Sequence, residues 1–202
     1  MMNQDSEVIT FSRKELSQYS KKSFQRGLIS GTGGNLSVRI PGEDAVLITP
    51  SGISLDDVTP EINILVSLEG KILSAPPGLK PSKETSFHLA AYRLRPNIHA
   101  LAHVHPPYAT AYANKRLPLP LVTVSARLNL KHVPCVECAI PGSCELRDLV
   151  SAGLSANPEA RAILMKEHGI LTLGKDLMEA FYLADLVEDT AKIAFIEANI
   201  KA

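Results

Sequence analysis

Pairs of short apolar segments, each joined by a few turn residues, constrain the fold of this chain more than any other feature of its sequence. NLSVRI and AVLIT flank a PGED turn, INILVSL and KIL flank residues 69–70, and two further apolar runs flank residues 167–169. Segments with such short connections pair as antiparallel strands, whereas parallel strands need a long crossover. The sequence therefore predicts an α/β protein with a mainly antiparallel central sheet flanked by helices in three layers, rather than a doubly wound parallel sheet.

Helices are predicted where apolar residues recur at helical spacing after a capping residue. Ser12 begins a capping-box pattern, and Ser82 is predicted to cap the helix SKETSFHLAAYRLR. Two more helices are predicted over GSCELRDLVSAGL and from Asp176 almost to Ala202. HALAHVH alternates as a strand does, and PLVTV and the segment around HVPCVE are weaker candidates for strands.

The balance of charge and the absence of long apolar runs exclude several classes of function. The 21 basic and 21 acidic residues cancel, so no global field favours nucleic acid or an anionic membrane. No apolar run approaches the length of a membrane span, and the N-terminus lacks the pattern of a signal peptide. We therefore expect a cytoplasmic protein, without nucleic-acid or membrane partners, that folds as one domain over residues 1–202.

Three cysteines lie close together in the sequence, at Cys135, Cys138 and Cys144. The first two form a CxxC pair, a spacing typical of zinc knuckles and redox pairs. No second CxxC or nearby ligand pair accompanies it to complete a zinc site. Ordinary packed thiols are therefore the favoured interpretation.

His103 and His105 are the clearest chemical signal in the sequence. Residues two apart on a strand point to the same face, so both imidazoles converge. Neutral imidazole is a common metal ligand, and two histidines on an apolar strand need partners. On this pattern alone, two hydrogen-bonded histidines are as good an interpretation as two metal ligands.

His168 shifts the balance towards a metal, since it lies at the tip of an apolar hairpin beside Gly169, which would permit a tight turn. Three histidines from two strands would leave a divalent ion with an open coordination position. Glu84, in the first turn of the preceding helix, is a further candidate as ligand or base, although the helix dipole also favours an acid there. His88, four residues later, could pair with it, but a packing or supporting role is preferred.

Three turn-like segments ahead of the histidines have the chemistry of an anion site. GTGGN offers backbone N–H groups, a hydroxyl and an amide, and TPSG offers another hydroxyl and a turn glycine. PSK puts a hydroxyl and an ammonium at a helix N-terminus, which favours phosphate. Each segment alone is an ordinary turn or cap, but the three together favour a phosphate site.

These residues resemble the class II aldolase/adducin family, typified by L-fuculose-phosphate aldolase. The motifs SGTGGNLS, LITPSG, KPSKE, HVHP and KEHG follow one another in order over nearly the whole chain. The resemblance implies the class II aldolase fold, with a nine-stranded, mainly antiparallel sheet between helices. It also implies a homotetramer with active sites at the subunit interfaces.

The resemblance also implies roles for individual residues. His103, His105 and His168 match the ligands of zinc, with Mn²⁺ or Co²⁺ as alternatives, and Glu84 matches a carboxylate that both ligates the metal and moves protons. Lys83 stands where the family often has a second serine, and it would strengthen phosphate binding or select a substrate with an additional carboxylate. The positions that match the phosphate site are Thr32, Gly34, Asn35, Ser51, Gly52 and Ser82.

The activity implied by the resemblance is that of a zinc-dependent aldehyde-lyase. Such an enzyme cleaves a small ketose phosphate by retro-aldol chemistry through a metal-stabilised enediolate. A decarboxylase of a phosphorylated 3-keto sugar acid is the main alternative, followed by a pentulose-phosphate epimerase and a dehydratase. An adducin-like interaction protein, which lacks the metal set, is the non-enzymatic alternative. The tyrosine that the family's aldolases use as proton donor has no counterpart near Thr123, so the donor is unassigned.

Overall fold

The computed structural model, which describes residues 7–201, contains one sheet with helices on both of its faces. The strands are β1 (Asn35–Arg39), β2 (Ala45–Ile48), β3 (Ile64–Ser67), β4 (Ile72–Ser74), β5 (Ala100–Val104), β6 (Cys135–Val136), β7 (Ala162–Met165) and β8 (Gly169–Gly174). The helices are α1 (Glu7–Gln25), α2 (Thr85–Leu94), α3 (Pro107–Lys115), α4 (Val124–Leu130), α5 (Cys144–Ala156) and α6 (Leu177–Asn199).

The strand order confirms the mainly antiparallel sheet that the sequence predicts. The order is β4-β3-β2-β1-β5-β8-β7-β6, and every pair except β6 with β7 is antiparallel. The predicted hairpins are β1 with β2, β3 with β4, and β7 with β8. Residues 7–201 contain eight strands, one fewer than the resemblance implies. Strand β5 lies between β1 and β8, so the centre of the sheet brings distant parts of the chain together.

Alternate residues of the central strands pack into two separate cores. Leu36 and Val38 of β1 lie in the layer formed with α1, α3, α4 and α6. Val46 and Ile48 of β2 lie in the opposite layer, which is formed with α2 and α5. Their burial on both faces of the sheet gives the three-layer arrangement expected from the sequence.

Several local predictions were wrong for identifiable reasons. PLVTV does not form a strand, because Thr123 caps α4 instead, its Oγ accepting a hydrogen bond from the Ala126 N–H at 3.1 Å. Ser12 lies inside α1 rather than at its start, and its hydroxyl donates to the carbonyl of Val8 at 2.8 Å. Serine can bond back to a carbonyl four residues earlier, which removes its value as a capping signal here.

The start of α2 also differs from its prediction. Ser82 lies three residues before Thr85, where the helix begins, and Glu84 occupies the N-cap position. The Ser82 hydroxyl accepts a hydrogen bond from the Glu84 N–H at 3.3 Å, which fixes the turn that leads into the helix. In contrast, Asp176 caps α6 as predicted, accepting from the Glu179 N–H at 2.7 Å. Within residues 7–201, no helix combines the length and apolar character needed to cross a bilayer.

Candidate metal centre and substrate cleft

The pairing of β5 with β8 brings three histidines from two sequence regions together. His103 lies opposite Leu171 of β8, His105 follows the end of β5, and His168 immediately precedes β8. The Nε2 atom of His103 is 2.9 Å from that of His105 and 3.3 Å from that of His168. One ligand atom from each of the three histidines lies within 4.8 Å of the others, so they can hold a metal ion.

The orientation of His103 and the electrostatics of His105 suit metal binding. The Nδ1 atom of His103 is 2.9 Å from the Ile170 carbonyl, which can only accept, so Nδ1 carries a proton and Nε2 is the atom available to ligate a metal. Burial, together with the nearby imidazoles of His103 and His168, lowers the pKa of His105 to about 3. A neutral imidazole is the form that ligates a metal.

Glu84 adds a carboxylate to the cluster. Its Oε2 is 3.2 Å from Nε2 of His103, and its Oε1 is 3.1 Å from Nε2 of His168. Burial alone would raise the pKa of Glu84, but the imidazoles of His103 and His168 outweigh it and hold the pKa well below its usual range. Within residues 7–201, the buried Oε1 atom has no hydrogen-bond partner.

The donor set fits a divalent cation. The Nε2 atom of His103 lies close to two further imidazole nitrogens and a carboxylate, all of which are atoms that can ligate a cation. A cation would also satisfy the unpartnered Oε1 of Glu84. Imidazole nitrogens with one carboxylate are typical ligands of zinc, and they also accept manganese or cobalt.

Two glycines allow the backbone to approach the histidines closely. A Cβ atom at Gly169 would lie 2.3 Å from the Val104 carbonyl oxygen, and one at Gly34 would lie 2.9 Å from the His103 carbonyl oxygen. The predicted role of Gly169 in the turn was wrong, since the left-handed residue of that hairpin is Glu167, with φ 56°. Gly169 is required instead by the close packing of β8 against β5.

An open cleft of about 390 Å³ lies over the cluster. Most residues predicted for the metal and phosphate sites line it, and His103 is fully buried beside His105 and His168. Glu167 and Pro141 also line the cleft and were not predicted as site residues, although Glu167 precedes His168 in KEHG. The lining comprises Thr32, Gly33, Gly34, Asn35, Pro50, Ser51, Gly52, Ser82, Lys83, Glu84, His105, Pro141, Glu167 and His168.

The remaining candidates are not part of the histidine cluster. His88 is fully buried and contacts Asn35 and Ser37 through its ring nitrogens, which agrees with the supporting role preferred from the sequence. The prediction of packed thiols was wrong, because Cys135, Cys138 and Cys144 are free and exposed.

A second open cleft, of about 420 Å³, lies where α1, α4 and α6 meet. Its charges are paired, Arg26 Nε with Asp185 Oδ1 at 2.7 Å and Arg161 Nη2 with Glu179 Oε1 at 2.5 Å. None of the described residues that line it is a histidine or a cysteine. The chemistry therefore belongs to the cleft over the histidine cluster.

Comparison with known proteins agrees with this geometry. The family described as "Class II Aldolase and Adducin N-terminal domain" matches residues 14–195. An L-fuculose phosphate aldolase of Methanococcus maripaludis is 34% identical over 178 residues, which cover 88% of this chain and 93% of the relative. A 3-oxo-tetronate 4-phosphate decarboxylase of Escherichia coli is 34% identical over 190 residues, covering 91% and 86%. The solved structure of YgbL from Escherichia coli superposes with a TM-score of 0.86 at 30% identity, covering 96% and 93%.

Proposed function

The chain belongs to the class II aldolase and adducin family, and from this premise we propose that it is a metal-dependent aldehyde-lyase that cleaves a small ketose phosphate by retro-aldol chemistry. The observation that carries the proposal is the histidine cluster with Glu84 beneath a cleft rich in hydroxyl and backbone N–H groups. The relative named as an L-fuculose phosphate aldolase supports the same substrate class.

The residues of the cluster have different roles in the proposed reaction. His103, His105 and His168 would hold a divalent ion, with zinc, manganese and cobalt as candidates. When bound, the ion supplies a Lewis acid that stabilises negative charge developing on the substrate's oxygen atoms. Glu84 lies against His103 and His168 with an ionised carboxylate, and we assign it the proton transfer at the carbon–carbon bond.

The other end of the cleft suits a phosphate. Thr32, Ser51 and Ser82 offer hydroxyl groups, and Lys83 offers an ammonium just before the N-terminus of α2. Among residues 7–201, no carboxylate forms an ion pair with Lys83, so its charge is available to a ligand. Hydroxyl, N–H and ammonium donors together match the oxygens of a phosphate group.

A second candidate activity is decarboxylation of a phosphorylated 3-keto sugar acid. Lys83 in the cleft supplies a positive charge that would suit a substrate carboxylate, and the segment near Thr123, where the resemblance implies the aldolase's tyrosine proton donor, contains no tyrosine. Loss of carbon dioxide leaves an electron pair beside the carbonyl, as retro-aldol cleavage does, and would use the same metal set. The decarboxylase relative, at 34% identity, is as similar as the aldolase relative.

A substrate screen distinguishes these activities. Purified protein with added zinc, manganese or cobalt would be incubated with ketose 1-phosphates and with phosphorylated 3-keto sugar acids. Release of an aldehyde would identify the lyase, and release of carbon dioxide the decarboxylase, with His103→Ala inactive in either case. Metal-loaded protein that releases neither product would contradict both proposals, and a chain that binds no divalent metal would favour an adducin-like interaction protein.

We further propose that residues 1–202 form a single domain that assembles as a homotetramer with active sites at the subunit interfaces. The family match over residues 14–195 supports one domain. Light scattering of the purified protein tests the assembly, and a monomer that retains full activity would contradict it.

A further inference from the structure

Beneath the cleft, a buried hydrogen-bond ladder joins β1 to α2. Asn35 and Ser37 lie two apart on one face of β1, and Glu84, His88 and Tyr92 follow at intervals of four along α2 from its N-cap. Two strand residues advance about 6.6 Å and four helical residues about 6 Å, so the two series stay in step. All five side chains are buried.

The contacts alternate between the strand and the helix. Asn35 Nδ2 donates to Glu84 Oε2 at 2.8 Å, and Asn35 Oδ1 is 2.6 Å from His88 Nε2. The other ring nitrogen of His88, Nδ1, is 2.7 Å from Ser37 Oγ. Ser37 Oγ is in turn 2.9 Å from the Tyr92 hydroxyl. Each residue between the two ends therefore has a partner on both sides.

The chemistry of Glu84 fixes the direction of every hydrogen bond. An ionised carboxylate only accepts, so the amide nitrogen of Asn35 must face Glu84 and its oxygen must face His88. His88 therefore donates from Nε2. Burial, with His103 nearby, lowers the pKa of His88 to about 3, so its ring is neutral and Nδ1 accepts from the Ser37 hydroxyl. Tyr92 then donates to Ser37, and all four donors point towards Glu84.

We propose that Asn35, His88, Ser37 and Tyr92 are positioning residues, which hold Oε2 of Glu84 so that Oε1 faces the histidine cluster. The proposal rests on the proposed function in so far as Glu84 acts at a metal centre. Oε2 is bonded to Asn35, whereas Oε1 lies 3.1 Å from His168 without a hydrogen bond. The ladder thereby prevents the carboxylate from turning away from the site.

This assignment gives the Asn35 side chain a role in addition to the phosphate binding implied by the resemblance. Its amide nitrogen is bonded to Glu84 and its amide oxygen to His88. The amide nitrogen carries two N–H groups, and only one of them is needed for Glu84, so a phosphate could accept from the other without breaking either buried bond. Asn35 therefore serves the carboxylate whether or not it also contacts phosphate.

A matched pair of serine variants tests the ladder. Ser37 and Ser20 are both fully buried, but the Ser20 hydroxyl donates only to the Leu16 carbonyl of its own helix, at 2.7 Å. We expect Ser37→Ala to weaken cobalt binding about tenfold and to change the visible spectrum of the cobalt-loaded protein, as loss of a supporting hydrogen bond at a metal site does. Ser20→Ala should change neither. Competition with a chromophoric chelator measures the affinity.

Asn35→Ala separates the two roles proposed for that residue. We expect cobalt affinity to fall about 10–100-fold in phosphate-free buffer. A role in phosphate binding would appear as a separate loss of affinity for inorganic phosphate. Loss of phosphate binding with unchanged cobalt affinity and spectrum would overturn the inference in favour of a phosphate ligand.

Tyr92→Phe provides a test that keeps the shape of the core, since it removes only the terminal hydroxyl of the ladder. It should alter the cobalt spectrum in the same direction as Ser37→Ala but by a smaller amount. If Ser37→Ala and Tyr92→Phe both match Ser20→Ala in cobalt affinity and spectrum, the inference is wrong. Cobalt and phosphate binding are measured without substrate, so this result stays separate from any failure of the activity screen.

Discussion

The floor and the rim of the cleft differ in how their polar groups are satisfied. The floor consists of His103, Asn35 and Glu84, whose relative exposures are 0%, 4% and 6%, and each contacts at least one other buried polar group. The rim consists of Thr32, Ser51, Gly52, Lys83 and Glu167, four of them exposed and Ser51 half-buried. Both regions line or support the same cleft.

This difference determines which part of the function can be inferred from contacts within the protein. A buried polar group costs free energy unless it is bonded, so the geometry of the floor is set by folding. A rim group in water has no such constraint, and its role depends on the ligand that reaches it. The floor therefore defines the chemistry, and the rim defines the substrate.

The comparison is tested most strongly by two glutamates of the same cleft. Glu84→Gln keeps the volume of the floor carboxylate but removes its charge, and we expect kcat to fall about 10²–10⁴-fold, the range typical of a lost proton-transfer group. Glu167→Gln makes the same change on the rim, where the side chain is 61% exposed, and should alter kcat little. Steady-state kinetics on the substrate found by the screen measures both. Equal losses would remove the distinction between floor and rim.

The packing that supports the floor is tested by Gly169→Ala. The new Cβ would meet the Val104 carbonyl oxygen, so we expect the free energy of unfolding to fall by about 1–3 kcal/mol and metal affinity to fall with it. Gly42→Ala is the control, since it has φ 78° but open space, and it should cost roughly 1–2 kcal/mol without affecting the metal. Urea unfolding and metal competition give the two quantities. Unchanged metal affinity in Gly169→Ala would show that the floor tolerates movement of β8.

Lys83→Ala tests the rim. Loss of a hydrogen bond to a charged group costs about 1.5 kcal/mol or more, so KM should rise roughly tenfold while kcat and metal content stay the same. Lys80→Ala removes an exposed ammonium from the same loop but outside the cleft lining, and it should behave as wild type. A fall in kcat at constant KM would place Lys83 with the floor instead.

Cys138→Ser should have the smallest effect. The thiol is free and exposed, and the metal-binding group found within residues 7–201 contains only histidines. Bound metal measured by elemental analysis should be unchanged, and the free energy of unfolding should shift by less than about 0.5 kcal/mol. Loss of metal in this variant would instead indicate that the CxxC pair ligates the metal.

The sequence predicted what depends on local spacing. Hairpins could be predicted because their strands adjoin in the chain, and His103 and His105 converge because they are two apart on β5. PLVTV was wrongly predicted as a strand. Its alternation of apolar and polar residues is short, and the preference of Thr123 for a helix N-cap outweighs it.

The ladder could not be predicted because its bonds join β1 to α2 across 49 to 55 residues. The sequence places Asn35 and Ser37 at strand spacing and Glu84, His88 and Tyr92 at helical spacing, but nothing local says that these faces meet. The close approach of Gly169 to Val104 likewise follows from the pairing of β8 with β5. These contacts are properties of the assembled sheet.

The histidine cluster draws on β5 and on the turn before β8, so its donors meet only after the central strands have paired. An unfolded chain holds His168 far from His103 and His105 and would capture a cation weakly. Occupancy by a metal would therefore be thermodynamically linked to folding, adding about 4 kcal/mol when the free ion is a thousandfold above its dissociation constant. Cellular metal supply would thus govern the lifetime of the folded protein as well as its catalytic rate.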